Sequence, residues 1–160
     1  MPSYQDHINQ SVNNLSFLEQ VNRYIPTQYD WQVTISFYSS LHLINAHLAH
    51  FGLQYRKHKD VKDALNPYSL SPAKLPENEY SAYISLQSLS RRARYLVNEK
   101  NENLSSTNPF FTYEKHLSRA LKHLNTLMTF FDAKYTLDLS PKKINCSDLK
   151  YADVKFIVKP

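Results

Sequence analysis

The chain has 160 residues, 42% apolar and 21% charged, a balance that suits a folded domain with its own core rather than a disordered segment. A formal charge of +5 and a pI near 9.2 favour an anionic partner. A single glycine, Gly52, argues against phosphate-cradling loops, dinucleotide-binding turns and tight hairpins, and a single cysteine, Cys146, excludes an internal disulfide.

A first helix is expected over residues 3–24, capped by Ser3, with Asp6 in its first turn. Ile8, Val12, Leu15, Leu18 and Val21 recur at helical spacing on it, and Pro26 ends it. The second helix, 30–51, is apolar on two faces and closes at Gly52. One stripe is Val33, Phe37, Leu41, Ile44, Leu48 and Phe51; the other is Trp31, Ile35, Tyr38, Ala46 and Ala49. Ser36, Ser39, His47 and His50 fall in the polar sector between them. A helix of this kind is the central rod of a bundle.

A short helix is expected over 57–65, followed by a loop broken by Pro67, Pro72 and Pro76. The next helix is expected over 77–100, with Ala82, Leu86, Leu89, Ala93, Leu96 and Val97 inward. Residues 101–109 read as a loop. The last long helix is expected over 110–135, with Tyr113, Leu117, Ala120, Leu124, Leu127, Met128 and Phe131 inward. Beyond Pro141 the alternating, β-branched wording suits a short extended segment. The fold expected is therefore all-α: a four- to five-helix up-and-down bundle over 1–135 and an extended tail over 136–160, packed on the bundle or on a partner. No apolar run reaches membrane-spanning length, and without an N-terminal leader the expected location is the cytoplasm.

Three groups of residues carry candidate chemistry. Lys115, His116, Arg119, Lys122 and His123 share one sector of the last helix, opposite its apolar stripe. Such a face can hold an RNA backbone through its phosphates. Arg119 would stabilise a phosphorane and His123 would move a 2′-hydroxyl proton. A solvated helix face produces the same pattern. Arg91, Arg94 and Tyr95 share a side of the preceding helix, a mix used for phosphate binding, nucleotide stacking and protein interfaces, or for ion pairs with Glu77, Glu79 or Asp63. His58 lies among Arg56, Lys57 and Lys59, neighbours that lower its pKa, and can line an anion pocket with Arg91 or Arg94 or belong to a basic surface. His47 and His50 are three apart, but no carboxylate or cysteine stands at a companion spacing, so no metal is expected. His42 reads as a core histidine. No nucleophile elbow or cofactor motif is present.

The wording DWQVTISFYSSLHLINAHLAHFGL, followed by RKHKDVKDAL and then LQSLSRRARY, resembles the HEPN superfamily (higher eukaryotes and prokaryotes nucleotide-binding domain) over roughly residues 5–132. The resemblance implies an all-α bundle, usually dimeric. Many members cleave RNA without metal or cofactor; others bind nucleotides or nucleic acid, or pair with a nucleotidyltransferase. Catalytic members carry an Arg and a His separated by four to six residues. Here the nearest pair, Arg119 and His123, has three between, and the Arg that often follows the third-segment histidine is Val61. The first reading is thus an RNA- or nucleotide-binding homodimer, as the resemblance implies, with Arg119 and His123 of the basic helix face as the candidate catalytic pair and phosphate contacts from His58, Arg91, Arg94, Tyr95, Lys115 and Lys122. The other reading is a non-catalytic interaction module or partner subunit in a toxin–antitoxin or defence system.

Overall fold

The computed structural model describes residues 2–100 and 108–160. Among them are five α-helices: α1 (Tyr4–Tyr24), α2 (Tyr29–His50), α3 (His58–Leu65), α4 (Glu77–Tyr95) and α5 (Glu114–Tyr135). The all-α bundle expected from the sequence is what the chain forms. α2 is its axis, packed against α1, α4 and α5.

Local signals explain most boundaries. Ser3 and Asp6 form a reciprocal capping box at the start of α1. Gly52, at φ +69, closes α2 with its N–H on Ala49 O, while Leu53 N–H reaches back to Leu48 O, the paired bonds of a Schellman cap. With no further glycine, α4 and α5 end on left-handed Leu96 (φ 56) and Thr136 (φ 53), conformations that cost about 1 kcal/mol or more each for such side chains. That is why α4 stops at Tyr95 rather than Lys100. Leu96, expected inward, is exposed, as is Tyr113, which is the N-terminal cap residue of α5.

The interior differs from the expected stripes in one physical respect. Most of the polar sector of α2 faces inward: Ser36, Ser39 and His47 are buried and only His50 is exposed, while Trp31 and Tyr38 of the second stripe are exposed and its Ile35 and Ala46 are buried as expected. Ser36 and Ser39 satisfy their hydroxyls on the carbonyls of Gln32 and Ile35, one turn back. Small, self-satisfied side chains let a neighbouring helix come close. Ser11 of α1, buried where Val12 was expected, donates to Ser39 O across that interface at 2.8 Å.

The tail lies on the bundle. Lys142–Lys143 and Ile157–Val158 pair as two-residue parallel strands, and Tyr151–Asp153 forms one 3₁₀ turn where extended chain was expected. Ile144, Cys146, Leu149, Phe156 and Ile157 are buried. Asn125 of α5 accepts from the N–H groups of Lys155 and Phe156, both at 2.8 Å. Asn22 of α1 links Gln32 to the backbone of Asn145. Side-chain acceptors on α1 and α5 thus supplement the short ladder that these two strands make with each other.

His47 is fully committed within the core. Its Nε2 meets Ala73 O at 2.9 Å and its Nδ1 meets the Tyr135 hydroxyl at 2.6 Å. A carbonyl only accepts, so Nε2 carries the proton and Tyr135 donates to Nδ1. Both nitrogens are used, which removes His47 from any metal site; among the described residues no group of three ligating side chains gathers. Burial holds the His47 pKa down at about 4, against the bond to Ala73, which raises it. The unfolded chain therefore binds the proton that the folded chain refuses. Stability is full above the unfolded value of 6.5 and falls as pH drops toward 4, by about 3 kcal/mol from this group. Urea unfolding at a series of pH values should show that loss, and His47→Gln should flatten it; an unchanged slope in the variant would place the proton uptake elsewhere.

Candidate functional site

Two residues apart on a helix is a turn of about 200°, so Arg92 and Arg94 leave α4 on opposite sides. Each organises a different cluster.

On the α2–α3 side, Arg94 sits among aromatic rings. Its guanidinium carbon is 5.0 Å from the Tyr95 ring centre, 5.8 Å from Tyr38 and 5.9 Å from Phe37. It donates to the Tyr38 and Tyr95 hydroxyls, each at 3.4 Å, and Nε donates to Ser90 O. Among the described residues it has no carboxylate within ion-pair distance. His58, at the first turn of α3, packs on the other available part of Phe37, ring centres 5.9 Å apart. Its pKa is lowered by burial first, then by Arg94 and Lys62. The lowering expected from the sequence is present, but burial leads it, and the acting cations are on α4 and one turn along α3, not its immediate neighbours. Three of the sequence candidates, His58, Arg94 and Tyr95, thus meet at one place. Arg91 lies one turn before Tyr95, half-buried on α4.

On the α5 side, Arg92 is buried. Its Nη1 meets Glu99 Oε2 at 2.6 Å, while Nε and Nη2 donate to Phe111 O at 2.9 and 2.6 Å. Arg119 Nη1 meets the other Glu99 oxygen at 3.1 Å. Burial raises the Glu99 pKa, but the bonds from Arg92, its own backbone and Arg119 outweigh it and hold the carboxyl at about 2. Lys115 and His116 line the same pocket. His116 is buried rather than part of the exposed basic sector; its Nδ1 accepts from Tyr113 N–H at 2.9 Å.

Arg119 and His123 stand one turn apart on α5. His123 is half-buried, its pKa lowered by burial and then by Arg119 and Lys122. Lys115 and Lys122 are exposed on the same helix. The sequence candidates therefore divide between two surfaces separated by α4. The residues that sequence reasoning missed are Tyr38, Phe37, Arg92 and Glu99. Tyr38 is seven residues from Trp31, two full turns, so both belong to one face; that face was assigned to the core.

A concavity of about 1190 Å³ lies elsewhere, between the end of α1 and the tail, lined by Glu19, Arg23, Lys143 and Lys159. None of the candidate residues lines it. No helix of the described residues is long and apolar enough to cross a membrane. No family model, no curated protein and no solved structure matches the chain.

The two partners of Glu99 differ in burial, and this sets their energetic roles. Arg92→Ala takes the buried donor from Glu99 Oε2, leaving that carboxylate to Arg119, and strands the Phe111 carbonyl, and should cost about 3 kcal/mol. Arg119→Gln removes an arm that is 44% exposed and should cost under about 1 kcal/mol. Denaturant midpoints of the two variants check the order; equal costs would contradict it.

Proposed function

We propose that the protein is a HEPN-like module that binds RNA or nucleotides, with a single-stranded segment held on the surface around Arg94. The observation that carries this reading is a half-exposed guanidinium without a carboxylate partner among the described residues, set between the exposed rings of Tyr38 and Tyr95. Bases stack on such rings whatever their identity, and a guanidinium pairs with phosphate oxygens in fork geometry. His58 and Lys62 extend the same surface, and the net charge of +5 suits a polyanion. Lys115 and Lys122 offer further phosphate contacts on α5. The resemblance described above supports the same ligand class and a homodimeric assembly.

Catalysis is a separate matter. Arg119 and His123 form the candidate catalytic pair, but Glu99 holds the arginine, and the spacing differs from that of catalytic members. Any RNA cleavage by this chain in EDTA runs through these two residues. Their joint replacement by Ala then abolishes it while Arg94-dependent binding persists.

A second reading, a surface for a partner protein such as a nucleotidyltransferase, draws on exposed apolar groups where α4 meets α5. Tyr95, Leu96, Phe111 and Tyr113 are all exposed, and Phe110 N–H bonds Leu96 O, bringing the two segments together.

Fluorescence anisotropy with a labelled oligouridylate separates the readings. Binding should weaken with salt, and Arg94→Gln should reduce it about tenfold, the loss of one charge-assisted contact and its stacking. Tyr38→Ala should weaken it comparably. Wild-type affinity in both variants, or no binding at low salt, would remove the nucleic-acid reading and leave the protein-partner one.

A further inference from the structure

Among the described residues, the second cluster holds more positive charge than Glu99 balances. Arg92, Lys100, Lys115 and Arg119 line a pocket of about 390 Å³ with Glu99 as the acidic member of that lining. Glu99 presents its two oxygens to two guanidiniums from different helices, at 2.6 and 3.1 Å. Two oxygens shared between two arginines is also how a phosphoryl group is gripped. His116 adds a donor: its Nδ1 accepts the Tyr113 N–H, so in the neutral ring the proton sits on Nε2. Burial and then Arg92 lower the His116 pKa, while Glu99 raises it.

Neither arginine is needed there for packing in the same way. Arg92 is anchored by Phe111 O whether or not Glu99 is present, because two of its nitrogens donate to that carbonyl. Arg119 is partly in solvent and reaches inward to the carboxylate. The pocket therefore keeps its fixed cation, a movable one and a neutral N–H donor when the carboxylate leaves.

We propose that this pocket is an anion site for a dianionic phosphoryl group, and that Glu99 occupies it as an internal stand-in which the ligand displaces. The site is independent of the Arg94 surface, on the opposite side of α4. Its ligand is a dianionic phosphoryl group, either free phosphate or the terminal phosphate of a nucleotide. A dianion exchanges one negative charge for two between the same cations, and so gains where a neutral ligand would not. Glu99 weakens the ligand by the fraction of time it fills the pocket.

The test is a calorimetric titration of the full chain with inorganic phosphate and, separately, adenosine monophosphate. Glu99→Gln should bind phosphate about tenfold more tightly than wild type, because the competing charge is gone. Arg119→Gln, a partly exposed position expected to fold normally, should lose most of the binding. Tighter binding of the monophosphate than of phosphate would identify a nucleotide end as the source; equal binding would identify the free anion. Binding unaffected by Arg119→Gln would overturn the site. So would a folded Glu99→Gln variant, checked by circular dichroism, that binds phosphate no better than wild type. If Glu99→Gln does not fold, the Arg119→Gln titration decides alone.

Discussion

The fold rests on an unusual constraint at its axis: α2 must touch three other helices while carrying serines and a histidine on the faces it buries. Each of those polar groups is satisfied without water. Ser36, Ser39 and Ser40 turn back onto their own helix, Ser11 donates into α2 from α1, and His47 spends both nitrogens on Ala73 and Tyr135. A buried hydroxyl without such a partner costs about 1–3 kcal/mol, so the arrangement holds only as a set. Its effect is to fix the rotation of α2. Once the serines point inward, Trp31 and Tyr38 have nowhere to go but outward.

That rotation produces the surface to which function is assigned. Tyr38 meets the end of α4, where Arg94 and Tyr95 stand, and Phe37, one residue earlier and fully buried, supports both Arg94 and His58 from below. A guanidinium over aromatic rings is attracted to them without being neutralised by them, so it is held in place and keeps its charge. Arg92, two residues earlier, receives the contrary treatment: burial, a carbonyl and a carboxylate. One helix end therefore presents one arginine available to an external anion and one already supplied with an internal one.

Much of this was legible in the sequence, and the failures share a cause. Helix number, the Ser3 and Gly52 caps and the inward faces of α4 and α5 follow from spacing and cap chemistry, which are local. The grouping of Arg94, Tyr95 and His58 was within reach because basic and aromatic residues cluster in two short phrases. What spacing could not supply was the rotation of α2. A hydrophobicity pattern places serine outside and tyrosine inside, and only the hydrogen bonds to carbonyls one turn back reverse that order. The end of α4 was missed because its stop signal is a left-handed leucine, a residue with no turn preference of its own. Glu99 followed from that error: read as part of a helix, it could not be seen folding back between Arg92 and Arg119. The tail resisted for another reason, since its partners are the single side chains Asn22, Glu19 and Asn125 rather than a neighbouring strand.

The exposed Trp31 and Tyr38 side of α2 is proposed to build, with Arg94, a surface for single-stranded RNA. Amide and side-chain NMR spectra recorded while oligouridylate is titrated into the isotope-labelled chain test it most directly. The account predicts shifts concentrated at Tyr38, His58, Arg94 and Tyr95, with the buried ring of His47 unmoved. Shifts confined to Lys115 and Lys122 on α5, or none at saturating oligonucleotide, would contradict it.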